Sequence, residues 1–139
     1  LFGCQSWEEA ESILQKEAVS MAIKKVGLSK EEIRMIYAGD LLAQTIASSF
    51  GIIGFEIPVY GLYGACATMG EALSLASMAV AGGYGDYVVA VTSSHFGSAE
   101  KEFRFPLGYG NQRFICSHKI AHFFKSGAKV QKRKEREST

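Results

Sequence analysis

Apolar residues at three- and four-residue intervals mark the first element of the chain: Trp7, Ala10, Leu14, Ala18, Met21 and Ala22. Ser6 and Glu9 have the spacing of a capping box, and Gly27 supplies a left-handed end. The pattern predicts an amphipathic helix between Ser6 and Gly27. Its charged side predicts a solvated face, formed by Glu8, Glu11, Lys16, Lys24 and Lys25.

Shorter elements follow this helix. Ser29 and Glu32 form a second capping box, which fits a single short turn before a strand at residues 33–39. Asp40 then stands where a loop or a helix cap begins, and residues 41–50 predict a helix interrupted at its far end by glycines. Residues 58–60 predict a short strand that leads into the glycine-rich string GLYGAC, where tight turns and close backbone approach are permitted.

The segment 67–81 carries a single charge, Glu71, and is otherwise apolar on nearly all sides. A helix of that kind belongs inside a molecule. It is followed by YVVAVTS, residues 87–93, a β-branched run without alternation that is typical of a strand covered on both faces. Helices alternating with such strands predict a layered α/β domain with a mostly parallel sheet.

Composition fits one modest globular domain: 139 residues, 47% hydrophobic and 12% aromatic. Charge divides the chain near residue 113. Residues 1–113 carry 8 Lys or Arg against 12 Asp or Glu, whereas residues 114–139 carry 7 against 2. We expect 1–113 to be the folded part, incomplete at both ends because the chain begins with Leu1 and its first element is already a helix. We expect 114–139 to be a divergent, poorly ordered basic tail.

Several classes of function find no support in the sequence. Three widely spaced cysteines fit neither a disulfide framework nor a paired-thiol metal site, and they favour a reducing compartment. The C-x-H-x-x-x-H string at Cys116, His118 and His122 lacks a fourth ligand, so we expect no metal. The tail mixes Glu with its bases and interleaves no aromatics, so we expect no nucleic acid. There is no phosphate-loop or dinucleotide fingerprint, no spanning segment and no sign of a cofactor.

Cys66 is the most informative residue, because it lies where the glycine-rich string passes into the apolar helix. First-turn amides and the helix dipole stabilise negative charge, so a thiol there is a candidate nucleophile. The same amides, from Ala65, Cys66, Ala67 and Thr68, are equally suited to holding a ligand carboxylate. A small buried core residue is the third possibility.

Other candidates have structural explanations beside the functional ones. His95 ends the last strand, where α/β proteins build their sites, but a single His is also a common hydrogen-bonded structural residue. Asp40 is a candidate base, although a lone carboxylate at a strand end usually caps the next helix. Tyr60 and Tyr63 are suited to flanking a ring or to packing against the apolar helix. Arg104 is suited to holding a carboxylate or to pairing with a neighbouring Glu.

Four strings occur in order with matching intervals over about four fifths of the chain: AGDLLAQ, GLYGACATMGEALSLASMAVAGG, DYVVAVTSSHF and AEKEFRFPLGYGNQR. Together they resemble the stage V sporulation protein AD family, from about Gly3 to Arg113. That family is similar to thiolases and ketoacyl synthases, which consist of two similar α/β halves around buried central helices. The resemblance implies that this chain is most of a first half, with Cys66 at the position of the acyl-accepting cysteine.

The same resemblance implies a role, partners and a location. The family is associated with dipicolinic acid, pyridine-2,6-dicarboxylate, which enters the developing spore and leaves it at germination. It implies a ligand site at Ala65, Cys66, Ala67, Thr68 and His95, other stage V sporulation membrane proteins as partners, and a homodimer of the full-length parent. The expected location is the forespore or the spore inner membrane, bound peripherally.

Three interpretations follow. The first is a non-catalytic, thiolase-like protein that binds dipicolinic acid and assists its uptake, and it is the one we favour. The second is an acyltransferase that uses Cys66, for which the activating His and Asn, or His and second Cys, would come from the other half of the fold. The third is a truncated remnant without function. An abrupt change after Arg113 also raises the hypothesis of a shifted reading frame.

Overall fold

The computed structural model describes residues 3–41, 45–95 and 119–120, the last four of these (94, 95, 119 and 120) by their backbone alone. Along the described chain the helices and strands follow one another as α1 (Trp7–Val26), β1 (Met35–Asp40), α2 (Ile46–Ile52), β2 (Val59–Leu62), α3 (Thr68–Ala81), β3 (Val88–His95) and β4 (Lys119–Ile120). Short 3-10 turns lie at Lys30–Glu32, Ile53–Phe55 and Ala65–Ala67.

Local signals place the ends of α1 correctly. The Ser6 hydroxyl accepts a hydrogen bond from the Glu9 amide at 3.0 Å, and Gly27 closes the helix at φ 72°. The second capping box is also confirmed in part, because the Ser29 amide donates to the Glu32 carboxylate at 2.8 Å at the turn before β1.

The sheet has the order β2-β1-β3-β4. The first three strands are parallel, with Gly39 opposite both Leu62 and Thr92, and Asp40 opposite Ser93. β4 joins β3 as a short antiparallel strand. The predicted layered α/β class with a mixed, mostly parallel sheet is therefore confirmed.

Helices cover both faces of the sheet. Connections between parallel strands are right-handed in about 98% of cases, and β2 and β3 lie on opposite sides of β1. The helices that lead to them, α2 and α3, therefore cover opposite faces. α1 packs beside α2, over β3. The core lies beneath α1 and α2: Val19, Ile23, Ile33, Ile36, Ala38, Ile52, Ile57 and Val91. Because β3 is central and lies between α1 and α3, its prediction as a strand covered on both faces is confirmed.

The buried side of α1 differs from the predicted one. Glu11 is 1% exposed and Gln15 is fully buried, whereas Met21, placed on the apolar side by its spacing, is 51% exposed. The assignment of Glu11 to the solvated face was therefore wrong. The hydrogen-bond partners that hold Gln15 on the inner face lie far away in the sequence. The spacing of apolar residues along α1 therefore could not predict this face.

The helix predicted over residues 41–50 begins later. α2 covers Ile46–Ile52 and is preceded by Thr45 in a left-handed conformation with φ 76°. Asp40 belongs to β1 and is 1% exposed. Its carboxylate accepts from the Ser48 amide at 2.8 Å and from the Ser48 hydroxyl. It thus caps the first turn of α2 from a distance in sequence, as the structural explanation for Asp40 predicts.

α3 has one buried and one exposed face among the described residues, so the predicted buried central helix is confirmed for one face. Its inner face consists of Thr68, Ala72, Ala76 and Ala79, which pack against the sheet, whereas Met78 on the outer face is 67% exposed. The described residues cover one side of this helix only. The small inner residues bring α3 close to the sheet: a Cβ added at Gly39 would lie 2.3 Å from Thr68 Cγ2 and 2.4 Å from the Leu62 carbonyl oxygen.

Candidate functional site

The carboxyl ends of three parallel strands form the edge at which the candidate residues lie. Cys66 follows β2, Asp40 ends β1, and His95 is the last residue of β3. Loops after β1 and β2 leave towards opposite faces of the sheet, and ligands of α/β proteins bind in the crevice between such loops. β1 lies between β2 and β3, so the backbones of β2 and β3 are about 10 Å apart, which is two strand spacings. The backbone thus brings these three positions to one edge of the sheet.

We call residues 64–68, which join β2 to α3, the elbow. Ala65 adopts φ 49°, a left-handed conformation that costs a residue with a side chain about 1–2 kcal/mol. Thr68 holds this turn closed, because its Oγ1 donates to the Ala65 carbonyl at 2.7 Å and accepts from the Gly64 amide at 3.0 Å. The Thr68 side chain is buried. Its hydroxyl is therefore used within the elbow.

The elbow amides are not equally available to a ligand. The Ala67 amide donates to the Gly64 carbonyl at 2.9 Å, and the Thr68 amide donates to the Ala65 carbonyl. The 3-10 turn leaves the amides of Ala65 and Cys66 outside its own hydrogen bonding. Of the four residues predicted to hold an anion, these two offer their N–H groups at the start of the 14-residue helix α3.

The Cys66 side chain is exposed and its thiol is free. A fully buried core residue is therefore the wrong interpretation of this cysteine. The Glu71 carboxylate lies beside the elbow, since a Cβ added at Gly64 would be 2.8 Å from Glu71 Oε2. Glu71 occupies the first turn of α3, where a negative charge stabilises the helix. In the sequence Glu71 is the one charge of an apolar helix, and its spacing gives no signal of a place beside the elbow.

A buried polar cluster lies beneath the strand ends and was also missed. Gln15 Nε2 from α1 lies 2.8 Å from the Gly39 carbonyl oxygen and 2.9 Å from both Ser48 Oγ and Ser93 Oγ. Through Ser48 the cluster reaches the Asp40 carboxylate. The only signal in the sequence was a pair of polar residues, Glu11 and Gln15, at the i, i+4 positions that continue to Val19 and Ile23.

The two tyrosines near the elbow do not occupy equivalent places. Tyr60 stacks on Tyr37, with ring centroids 5.1 Å apart and planes at 26°. Tyr60 and Tyr63 both remain exposed. The expected packing of Tyr60 against the apolar helix is replaced by a cross-strand pair on neighbouring strands, because β1 and β2 place Tyr37 and Tyr60 opposite each other.

The larger groove, of about 600 Å³, lies at the opposite end of the sheet from Cys66. It is lined by charged residues that include Lys30 and Glu56, which form an ion pair at 3.1 Å. At its rim a hydrogen bond from the backbone of Glu31 itself, and secondly one from the Ser29 hydroxyl, lower the pKa of the Glu31 carboxyl. A smaller cavity of about 350 Å³ lies between α2 and β2. Neither cavity includes an elbow residue.

Some predicted features lie outside the described residues: Arg104, Cys116, His118, His122 and nearly all of the basic tail. The boundary at residue 113 also lies there and stays a prediction. In the part of the chain that the structure describes, no group of three or more His, Cys, Asp or Glu is arranged to hold a metal ion. No described helix is both long and apolar enough to cross a bilayer.

Comparison with known proteins gives two matches. The family profile described as "Stage V sporulation protein AD (SpoVAD)" matches residues 1–138. A Bacillus subtilis (strain 168) protein named "Stage V sporulation protein AD" is 40% identical over 109 residues, which cover 78% of this chain. The matched segment is 32% of that protein, so the chain spans about a third of the length of its relative.

Proposed function

Since this chain belongs to the stage V sporulation protein AD family, we propose that it contributes to binding dipicolinic acid and to its uptake into the forespore. The ligand is a flat aromatic dianion, so a site for it needs N–H donors for carboxylate oxygens and room beside the ring. The site we propose consists of Ala65, Cys66, Ala67, Thr68 and His95, around the carboxyl ends of β1, β2 and β3. Ala65, Cys66 and His95 contact the ligand, and Ala67 and Thr68 shape the elbow through their internal hydrogen bonds.

One observation carries the proposal: the elbow presents the N-terminal end of α3 at an exposed position beside Cys66. Amides of Ala65 and Cys66, which the 3-10 turn does not use, suit one carboxylate of the ligand. Thr68 contributes by fixing the turn through its hydroxyl rather than by donating to the ligand. We assign the second carboxylate to His95, whose backbone ends β3.

A matched set of variants tests this proposal by calorimetry. The unchanged chain, within its full-length parent, is expected to give saturable heat with dipicolinate. His95→Ala is expected to weaken it, because it removes the side chain assigned to the second carboxylate. Cys66→Ala keeps the backbone N–H of residue 66 and is expected to leave the binding heat nearly unchanged. Cys4→Ala is the control, since Cys4 lies before α1, far in sequence from the elbow. Isophthalate, which has the same two carboxylates without the ring nitrogen, measures the contribution of that nitrogen. The absence of any saturable signal would contradict the proposal.

The second candidate is acyl transfer at Cys66, and the exposed free thiol at the elbow is the observation that favours it. In that reaction the Cys66 thiolate attacks the acyl carbonyl of a thioester, and coenzyme A leaves as its thiol. Incubation with acyl-coenzyme A followed by mass spectrometry distinguishes the two functions. A stable thioester on Cys66 would support acyl transfer. An unmodified thiol in a protein that binds dipicolinate would support ligand binding instead.

For the whole protein we further propose the setting that family membership implies. The partners are other stage V sporulation membrane proteins, the parent is a homodimer, and the location is peripheral at the forespore or spore inner membrane. Co-purification of the tagged parent from sporulating cells, with and without detergent extraction, tests the partners and the location, and the mass of the purified parent by light scattering tests the dimer. Recovery of the parent without membrane partners from every fraction would contradict the assignment.

A further inference from the structure

Gln15 is the most enclosed polar side chain of the described residues, at 0% exposure, and four elements meet at its amide. From α1 it contacts Gly39 in β1, Ser48 in α2 and Ser93 in β3. These three partners lie 24, 33 and 78 positions from Gln15 in the sequence, and all three are hydrogen-bonded to its one NH₂ group. Its carbonyl, Oε1, is buried and has no hydrogen-bond partner among the described residues.

The available donor hydrogens fix the direction of each hydrogen bond in this cluster. The Gly39 carbonyl can only accept, which fixes Nε2 rather than Oε1 on that side of the amide. The Ser48 hydroxyl gives its own proton to the Asp40 carboxylate, so towards Gln15 it must accept. Both Nε2 hydrogens are thereby committed, and Ser93 Oγ at 2.9 Å shares one of them. The result is a relay in which Gln15 donates to Ser48 and Ser48 donates to Asp40.

The relay ends at the edge that carries the candidate site. Asp40 is the last residue of β1 and lies opposite Ser93, two residues before His95 on β3. The same Asp40 carboxylate also accepts from the Ser48 amide and so sets the start of α2. Holding Gly39 and Ser93 with one amide fixes the spacing between β1 and β3 at their carboxyl ends, and with it the backbone of His95.

We propose that Gln15 is a positioning residue for the strand-end site: its buried amide fixes Asp40 through Ser48 and holds the ends of β1 and β3 at one spacing. It touches no ligand. Its effect on affinity rests on the proposed binding of dipicolinate at this edge, whereas its effect on the strand ends does not. This role gives α1, a helix remote from the elbow in sequence, a direct connection to the site.

Gln15→Met, which keeps the length of the side chain and removes both donors, is the test, and Val19→Ala is its control. Val19 is also fully buried on α1, one turn further on, and belongs to the apolar core. Both variants lose stability. Only Gln15→Met is expected to weaken dipicolinate binding, by tenfold or more under conditions where both are folded, while Val19→Ala stays within twofold. Equal losses in the two variants, or none in Gln15→Met, would overturn the proposal.

Hydrogen exchange provides a second readout that needs no ligand. Gln15→Met is expected to speed exchange at the Ser48 and Ser93 amides by at least tenfold more than at Ile36, whose amide donates to Pro58 at the other end of β1. In the unchanged chain, the two Nε2 protons of Gln15 should exchange slowly in NMR spectra. Uniform exchange along β1 and β3 in the variant, or a fast-exchanging Gln15 amide, would refute the positioning role. If the unchanged parent binds no dipicolinate, the proposed function fails and exchange alone decides about Gln15.

Discussion

Gly39→Ala is the substitution for which the structure makes its sharpest statement about stability. The added methyl group would lie 2.3 Å from Thr68 Cγ2 and 2.4 Å from the carbonyl oxygen of Leu62. Carbon atoms pack at about 3.5–4.0 Å, so the contact with Thr68 Cγ2 is more than 1 Å too short, and the contact with the Leu62 oxygen is likewise far below a normal separation. Thr68 cannot rotate away without losing its two hydrogen bonds in the elbow, and Leu62 belongs to the strand that pairs with Gly39. Relief requires β1 and β2, or β1 and α3, to separate.

Overpacking of this kind lowers the free energy of unfolding by about 1–3 kcal/mol. Because one of the two clashing atoms is the backbone oxygen of Leu62, we expect Gly39→Ala to lose about 3 kcal/mol. With an m-value of about 1.5 kcal/mol per molar urea, the unfolding midpoint should fall by about 2 M. Circular dichroism at increasing urea concentration measures it. Gly70→Ala is the matched control, since Gly70 lies in α3 with no atom within 4 Å of an added Cβ, and it should gain about 0.5–1 kcal/mol. A Gly39→Ala loss below about 1 kcal/mol, or the same sign of change in both variants, would refute the packing described here.

Three further outcomes follow from named contacts. Ser6→Ala removes the acceptor of the Glu9 amide and should lower the free energy of unfolding by about 1 kcal/mol. Urea titration measures this change, and an unchanged midpoint would show that the cap contributes nothing to stability. Ala65→Gly relieves the left-handed φ of 49° and should raise stability by about 0.5–1 kcal/mol, and a loss instead would contradict a strained elbow. The lowered pKa of the Glu31 carboxyl means that the fold favours its ionised form. The contribution of Glu31 to folding stability is therefore present above the ordinary pKa of 4.5, and it is lost as the pH falls through the lowered pKa. NMR titration of Glu31 should show that lowered pKa, and Ser29→Ala should return it towards 4.5; an unshifted Glu31 in the unchanged chain would contradict the assigned hydrogen bonds.

Local signals in the sequence predicted the elements, and distant partners decided which way those elements face. Ser6 and Gly27 mark the ends of α1 because a cap depends on residues within one turn. The buried face of α1 was not predictable in the same way. Gln15 is turned inward by Gly39, Ser48 and Ser93, none of which is near it in sequence.

The shared edge of the candidate residues follows from topology, whereas the availability of their donors does not. Parallel strands bring Cys66 and His95 to one edge whatever their side chains do, so that part of the prediction required only the order of helices and strands. Which elbow amides remain available depends on the 3-10 turn, in which Ala67 and Thr68 donate internally. The left-handed Ala65 that produces this turn has no signature in the string GLYGACAT.

β2 has further consequences for handling this chain in solution. Within the described residues, β2 is an edge strand of only four residues, and its Val59 and Tyr60 side chains are exposed. An open edge with apolar side chains is a template for intermolecular strand addition, and hence for aggregation at high concentration.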